Sequence, residues 1–192
     1  MAEASETGLS VRAPEREAVS APARGVAEYG GPVRLVEVAV LSPDVPSVQR
    51  FVRNLCGGID LETPGLLLGR LDLGRERALQ VYGLPVQNSP ETLVLDLLIA
   101  RALGALLLYP WDVPFLRERA ELVADWYADS YDAPLVALAF SSRGNPLPAQ
   151  AYPEGVSLGA GARVVGADLD QPASLRRAIA VLVDMALGRV AT

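Results

Sequence analysis

The sequence predicts an α/β fold, a doubly wound three-layer sandwich with a mostly parallel sheet and one antiparallel edge strand. Three observations predict it: nearly continuous apolar runs of strand length, helical apolar periodicity between them, and one closely spaced pair of strands early in the chain. Strands that are apolar along their whole length must be covered on both faces, which requires helices on both sides of the sheet. A chain of 192 residues, 51% of them hydrophobic, is long enough for one such domain.

Residues Met1 to Gly31 mix Ala, Glu, Ser, Pro and Arg with few large apolar side chains. They bury too little surface to offset ordering entropy and read as a disordered arm, leaving residues 32–192 as the domain. Leu35 to Leu41 (LVEVAVL) is a Val-rich strand, followed by a Ser-Pro-Asp-Val-Pro turn. Val48, Phe51, Val52 and Leu55 then recur at helical spacing, and Gly57 with Gly58 supply a stop. Gly65 to Leu73 and Ala78 to Tyr82 flank a short polar link and predict an antiparallel hairpin. A helix over about Thr92 to Leu103 feeds the strand Gly104 to Tyr109. Phe115, Leu116, Ala120, Leu122, Val123 and Trp126 mark the next helix, ahead of the strand Leu135 to Phe140. Ala162 to Ala167 is a further strand, and Pro172 suits the first turn of a helix carrying Leu175, Ile179, Leu182, Val183 and Ala186. The pattern amounts to roughly five or six strands alternating with four or five helices.

Composition removes several functions. A net charge of −6 with no Lys/Arg run disfavours nucleic acid, which needs clustered positive charge. The most apolar window, Leu93 to Tyr109, contains Asp96 and Arg101 and is short for a membrane span. The absence of histidine and the single cysteine, Cys56, exclude the usual zinc ligand sets, a Ser-His or Cys-His nucleophile and an internal disulfide. With no secretion signal at the start, a cytoplasmic location is expected. Cys56 reads as a small buried hydrophobe, and Trp111 and Trp126 as core or rim aromatics.

In doubly wound sheets ligands sit at the carboxyl ends of strands, so chemistry belongs in the loops after Leu41, Tyr82, Tyr109, Phe140 and Ala167. Asp44, Asp112 and Asp168 all fall there, and a metal or acid/base cluster is conceivable. Asp112, just ahead of a helix, reads better as its capping aspartate, and Ser47 likewise as a helix cap.

Several strings in order resemble the MglA-like bacterial branch of the small Ras-like GTPases, over about Arg34 to Gly188. Leu66 to Gln87 (LLLGRLDLGRERALQVYGLPVQ) is similar to that family's hairpin and Gly-Thr-Pro-Gly-Gln switch motif, with Gly83, Pro85 and Gln87 matching. Arg101 to Tyr109, Leu135 to Gly144 and Val164 to Asp170 are similar to its next strand, its base-recognition strand and loop, and its last strand and loop. The resemblance implies a Ras-like P-loop GTPase fold, and it also places the departures. The phosphate-binding Gly-x-x-x-x-Gly-Lys-Ser/Thr turn corresponds to Ser42-Pro43-Asp44-Val45-Pro46-Ser47-Val48, with no glycine, no lysine, two prolines and an acid. In the switch motif the threonine is Leu84 and the second glycine is Val86, whose branched side chain obstructs the close approach of that amide to a terminal phosphate. Thr63 stands for the magnesium-coordinating threonine, and Gln87 is a weak catalytic candidate for the water-orienting glutamine. The base-recognition Asn-Lys-x-Asp becomes Ser141-Ser142-Arg143-Gly144, without its aspartate, and Asp168 belongs to the last loop, where Leu169 replaces a small residue.

The resemblance therefore implies a non-catalytic pseudo-GTPase in which Ser42, Asp44, Ser47, Thr63, Gly83, Ser141, Arg143 and Asp168 are remnants of the nucleotide loops. No cofactor is expected. Leu66, Leu68, Val81, Leu84 and Val86, with Leu67, would supply an apolar surface for a protein partner, either a roadblock-type protein or another small GTPase in a polarity, motility or signalling system. Two alternatives remain at this point. One is a divergent GTP-binding protein or GTPase that uses GTP and magnesium; the other is a receiver-like or flavodoxin-like domain.

Overall fold

A computed structural model of the chain describes residues 33–74, 76–86, 93–148, 158 and 162–190. The arm 1–31 and Gln87 lie outside the described residues. The elements run β1 (Arg34–Ser42), α1 (Val45–Cys56), β2 (Leu61–Thr63), β3 (Leu66–Asp72), β4 (Arg77–Pro85), α2 (Leu93–Ile99), β5 (Ala105–Pro110), α3 (Pro114–Ser130), β6 (Leu135–Phe140), β7 (Arg163–Gly166) and α4 (Pro172–Val190). They build a 7-stranded sheet in the order β2-β3-β4-β1-β5-β6-β7.

β1 pairs in parallel with β4 and β5, and β5 through β7 continue in parallel. β3 runs antiparallel to β4, and β2 antiparallel to β3. The strand that opposes the others is thus second from the edge, not at it. β2 covers it, and β2 has no apolar run to announce it: its residues Leu61, Glu62 and Thr63 are all exposed.

Every residue of β5 and β6 is buried, as their unbroken apolar sequences require of strands covered twice. α1 and α4 cover one face, where Phe51, Val52 and Leu55 meet Val38, Val40, Leu175 and Leu182. α2 and α3 cover the other, where Ile99, Val123 and Tyr127 meet Leu41, Leu107 and Ala137. α2 ends at Ile99 rather than continuing to Leu103, because the Leu103 amide already donates to the Glu37 carbonyl of β1 at 2.8 Å. The apolar window therefore divides between a short helix and a strand, and among the described residues no helix is long and apolar enough to cross a membrane.

α1 lies unusually close to the sheet. A Cβ added at Gly69 would stand 2.5 Å from Val52 Cγ1, and one at Gly83 2.5 Å from Val48 Cγ1. Those two glycines on β3 and β4 set how deeply the helix sinks. Its far end stops at Gly57, which takes φ 75 in the left-handed region that favours glycine.

Candidate functional site

The chain leaves β1 toward β4 on one side and then crosses to β5 on the other, so the sheet order reverses at β1. The crevice over the carboxyl ends of β1 and β5 is where a doubly wound sheet binds ligands.

Only Pro43 and Asp44 separate β1 from α1, so no loop of phosphate-cradling length exists. Asp44 is the N-cap: its Oδ2 accepts from the Ser47 amide at 2.8 Å and its Oδ1 from the Ser47 hydroxyl at 2.9 Å. This corrects the reading of Ser47 as the cap; Ser47 is instead the group being satisfied, and it is buried. The positive end of the helix, which would attract an external anion, holds the chain's own carboxylate. Pro46 removes a further amide from the first turn. Ser42 is buried, accepts from the Asp44 amide at 3.3 Å through its hydroxyl, and accepts from the Val86 amide at 2.7 Å through its carbonyl.

The next residues along α1 tie it to the loop after β7. Arg50 forms a two-pronged pair with Asp170, Nε to Oδ1 at 2.6 Å, and Asn54 donates to the Leu169 carbonyl at 2.8 Å. The hydrogen bond from Arg50 holds the Asp170 carboxyl below its ordinary range. Leu169 itself is buried against α1 and α4, so a small residue there would leave a void.

Thr63 lines a cavity of about 450 Å³ with Val45 and Pro85, which brings together the start of α1, the β2–β3 turn and the end of β4. Its hydroxyl donates to the Leu66 carbonyl at 3.2 Å. Gly83 is not in a loop. It lies inside β4, opposite Val40 and Leu67, and the approach of Val48 accounts for the glycine. The apolar surface expected around it also changes: Val81 and Leu84 are 0% exposed and Val86 6%, while Leu66 and Leu68 are half-buried. Alternate residues of β4 face opposite helix layers, so Val81 belongs to the α1–α4 core and Leu84 and Val86 to the α2–α3 core.

At the ends of β6 and β7 lies a cleft of about 320 Å³, lined by Ser141, Gly144, Asn145, Gly166, Asp168 and Ser174 among others. The Ser141 hydroxyl accepts from the Arg143 amide at 3.3 Å and the Asn145 amide at 3.2 Å, which curls the loop around it. Gly144 takes φ 71, a conformation that supplies its own reason for a glycine. The Arg143 side chain is exposed. On the opposite wall the Asp168 carboxylate accepts from the Asp170 amide at 2.9 Å, and the Asp168 amide donates to the Ser174 hydroxyl at 3.1 Å.

Asp112 does not cap α3. The N-cap there is Val113, with no side-chain hydrogen bond. The carboxylate turns instead across the sheet end and accepts from the Ser142 amide at 2.8 Å, the Ser142 hydroxyl at 2.9 Å and the Ser141 hydroxyl at 3.3 Å. It fastens the loop after β5 to the loop after β6. Burial raises the acid's affinity for a proton, but the Ser142 bonds outweigh it and hold the carboxyl below its usual value of 3.8. A depressed carboxylate stabilises the fold above that value and loses the contribution as pH falls through its folded value. Asp112→Ala should therefore cost about 1 kcal/mol at pH 5–8, a modest figure because the group is exposed. The difference from the parent should shrink below pH 4, as read from urea midpoints across that range.

Asp44, Asp112 and Asp168 each satisfy a separate loop, and among the described residues no group of three or more His, Cys, Asp or Glu side chains could hold a metal ion. Cys56 is half-buried against the α1 core, and burial pushes its thiol up to about 12, a poor nucleophile at neutral pH. Asn145, Ser174 and Asp170 are the participants that the sequence did not single out; none stands in a string that differs from an ordinary polar loop. No protein-family model matches this chain, and no curated protein matches it either.

Proposed function

We propose that the chain is a pseudo-GTPase: a small-GTPase-like domain of the MglA-like kind that binds no nucleotide and acts through protein contacts. Its partner in this reading is a roadblock-type protein or another small GTPase, in a polarity, motility or signalling assembly. The observation that carries the reading is the Asp44 carboxylate seated on the first turn of α1. A triphosphate at that position would meet a fixed negative charge and too few free amides. The order of elements supports the fold assignment, with a β3–β4 hairpin beside β1 and successive crossovers to β5, β6 and β7. An all-parallel receiver-like or flavodoxin-like sheet has no place for that hairpin.

Titration with fluorescent guanine and adenine nucleotides plus magnesium should give no saturable binding, with any association weaker than about 1 mM. Micromolar binding of the triphosphate sinks the proposal. One observation favours a second reading, a divergent GTP-binding protein: the cleft between Ser141 and Asp168 remains open where a base would sit in the resembled family. Guanosine without phosphates separates the two, since that reading requires it to compete for the site.

A further inference from the structure

α3 shows more apolar surface than its packing on the sheet uses. Ala120, Val123, Ala124 and Tyr127 are its buried residues. A second stripe, Phe115, Arg119, Leu122 and Trp126, follows helical spacing on another side of the same helix. Leu122 is 69% exposed and Phe115 59%. Trp126 is half-buried and meets the Tyr131 ring edge-on, with centroids 5.4 Å apart. The Tyr131 hydroxyl donates in turn to the Asp96 carboxylate of α2, so the indole is braced from the neighbouring helix.

Charge along α3 is one-sided. Glu118, Asp125 and Asp129 run beside the stripe by helical spacing. All three are exposed, and none of them forms an ion pair among the described residues. The two arginines of the helix are engaged over aromatic rings, Arg119 over Phe115 and Arg117 over Trp111. Asp129 stands in the last turn, where the negative end of the helix repels it. That acid works against the isolated helix, and a cation brought by a partner relieves it. We propose that this face of α3 docks a basic amphipathic helix of a partner protein.

The spacing selects a helical occupant. From Phe115 to Trp126 the stripe is about 17 Å long, and its alternating intervals of four and three residues are those that a second helix fills with its own apolar side chains. Phe115 and Trp126 supply aromatic anchors, and a braced indole loses little freedom on docking. The acid edge selects lysine or arginine beside the partner's apolar face. It also disfavours a second copy of this chain, because in an isologous pair the same acid edge would meet itself. The proposal rests on the reading that the domain acts through protein contacts, and because peptide and nucleotide are titrated separately, either can fail alone.

The probe is a fluorescein-labelled peptide of about 18 residues with Leu at a and d of a heptad and Lys elsewhere, followed by anisotropy against the full chain at about 50 mM salt. The parent should bind it saturably, tighter than about 100 μM. Leu122→Asp and the Asp125→Lys/Asp129→Lys double variant, each checked for native circular dichroism, should each weaken binding at least fivefold. These side chains are exposed, so both variants should fold. No saturable binding by the parent overturns the proposal, as does a smaller loss in either variant, since the peptide then sits elsewhere. A parent that sediments as a dimer and becomes monomeric with Leu122→Asp overturns it too, because a second copy then covers the face.

Discussion

Gly83→Ala will destabilise the protein by about 1–3 kcal/mol, a large effect for the addition of one methyl group on a strand. The new Cβ would stand 2.5 Å from Val48 Cγ1 and 3.1 Å from Val52 Cγ2, and α1 cannot withdraw without lifting Phe51, Val52 and Leu55 from the core. The strand does not require glycine for its backbone, since no positive φ occurs there; packing alone demands it. A Val48→Ala background should therefore relieve most of the cost. The double-mutant cycle by urea denaturation should give a coupling of 0.5–3 kcal/mol in the compensating direction. Additive losses would show that Gly83 matters for something other than the helix above it.

The second large effect is expected at Asp44. Asp44→Ala leaves the Ser47 amide and hydroxyl without their acceptor and should cost about 0.5–2 kcal/mol. Asp44→Asn keeps an oxygen acceptor and should recover most of that stability. Both variants remove the negative charge from the start of α1, yet neither should gain nucleotide affinity, because Pro43 and Pro46 still withhold amides. The two readouts are a thermal or urea midpoint and the nucleotide titration described above. Recovery of triphosphate binding by Asp44→Asn would mean that the charge by itself blocks the site.

The sheet and its layers were legible because β1, β5 and β6 are apolar along their length, a pattern that only a doubly covered strand needs. α1 was equally legible from Val48, Phe51, Val52 and Leu55. β2 was not, since three exposed residues pair through the backbone and leave no trace in side-chain pattern. The end of α2 escaped for a similar reason: it is set by the Leu103 amide reaching Glu37, a partner 66 residues away in sequence by subtraction of the two residue numbers. At the candidate site, the Asp44-to-Ser47 spacing carries a capping signal, but sequence alone assigns the cap to Ser47 and leaves Asp44 as a loop acid. Asp112 misled because an acid before a helix resembles a cap, whereas its partners Ser141 and Ser142 arrive only through folding. Gly83 fits a switch motif and a packing requirement with the same letter, and only the position of Val48 distinguishes them.

The strands shorten toward both margins of the sheet: β1 and β4 have 9 residues each, whereas β2 has 3 and β7 has 4. Unpaired backbone at a margin is what allows a foreign strand to add on, and with it fibril growth or recruitment by strand exchange. Margins of this length offer a visiting peptide only about two to four backbone bonds, a weak hold. Among the described residues a recruited protein finds more to grip on helices and loops than on either margin, and concentrated solutions should resist cross-β assembly.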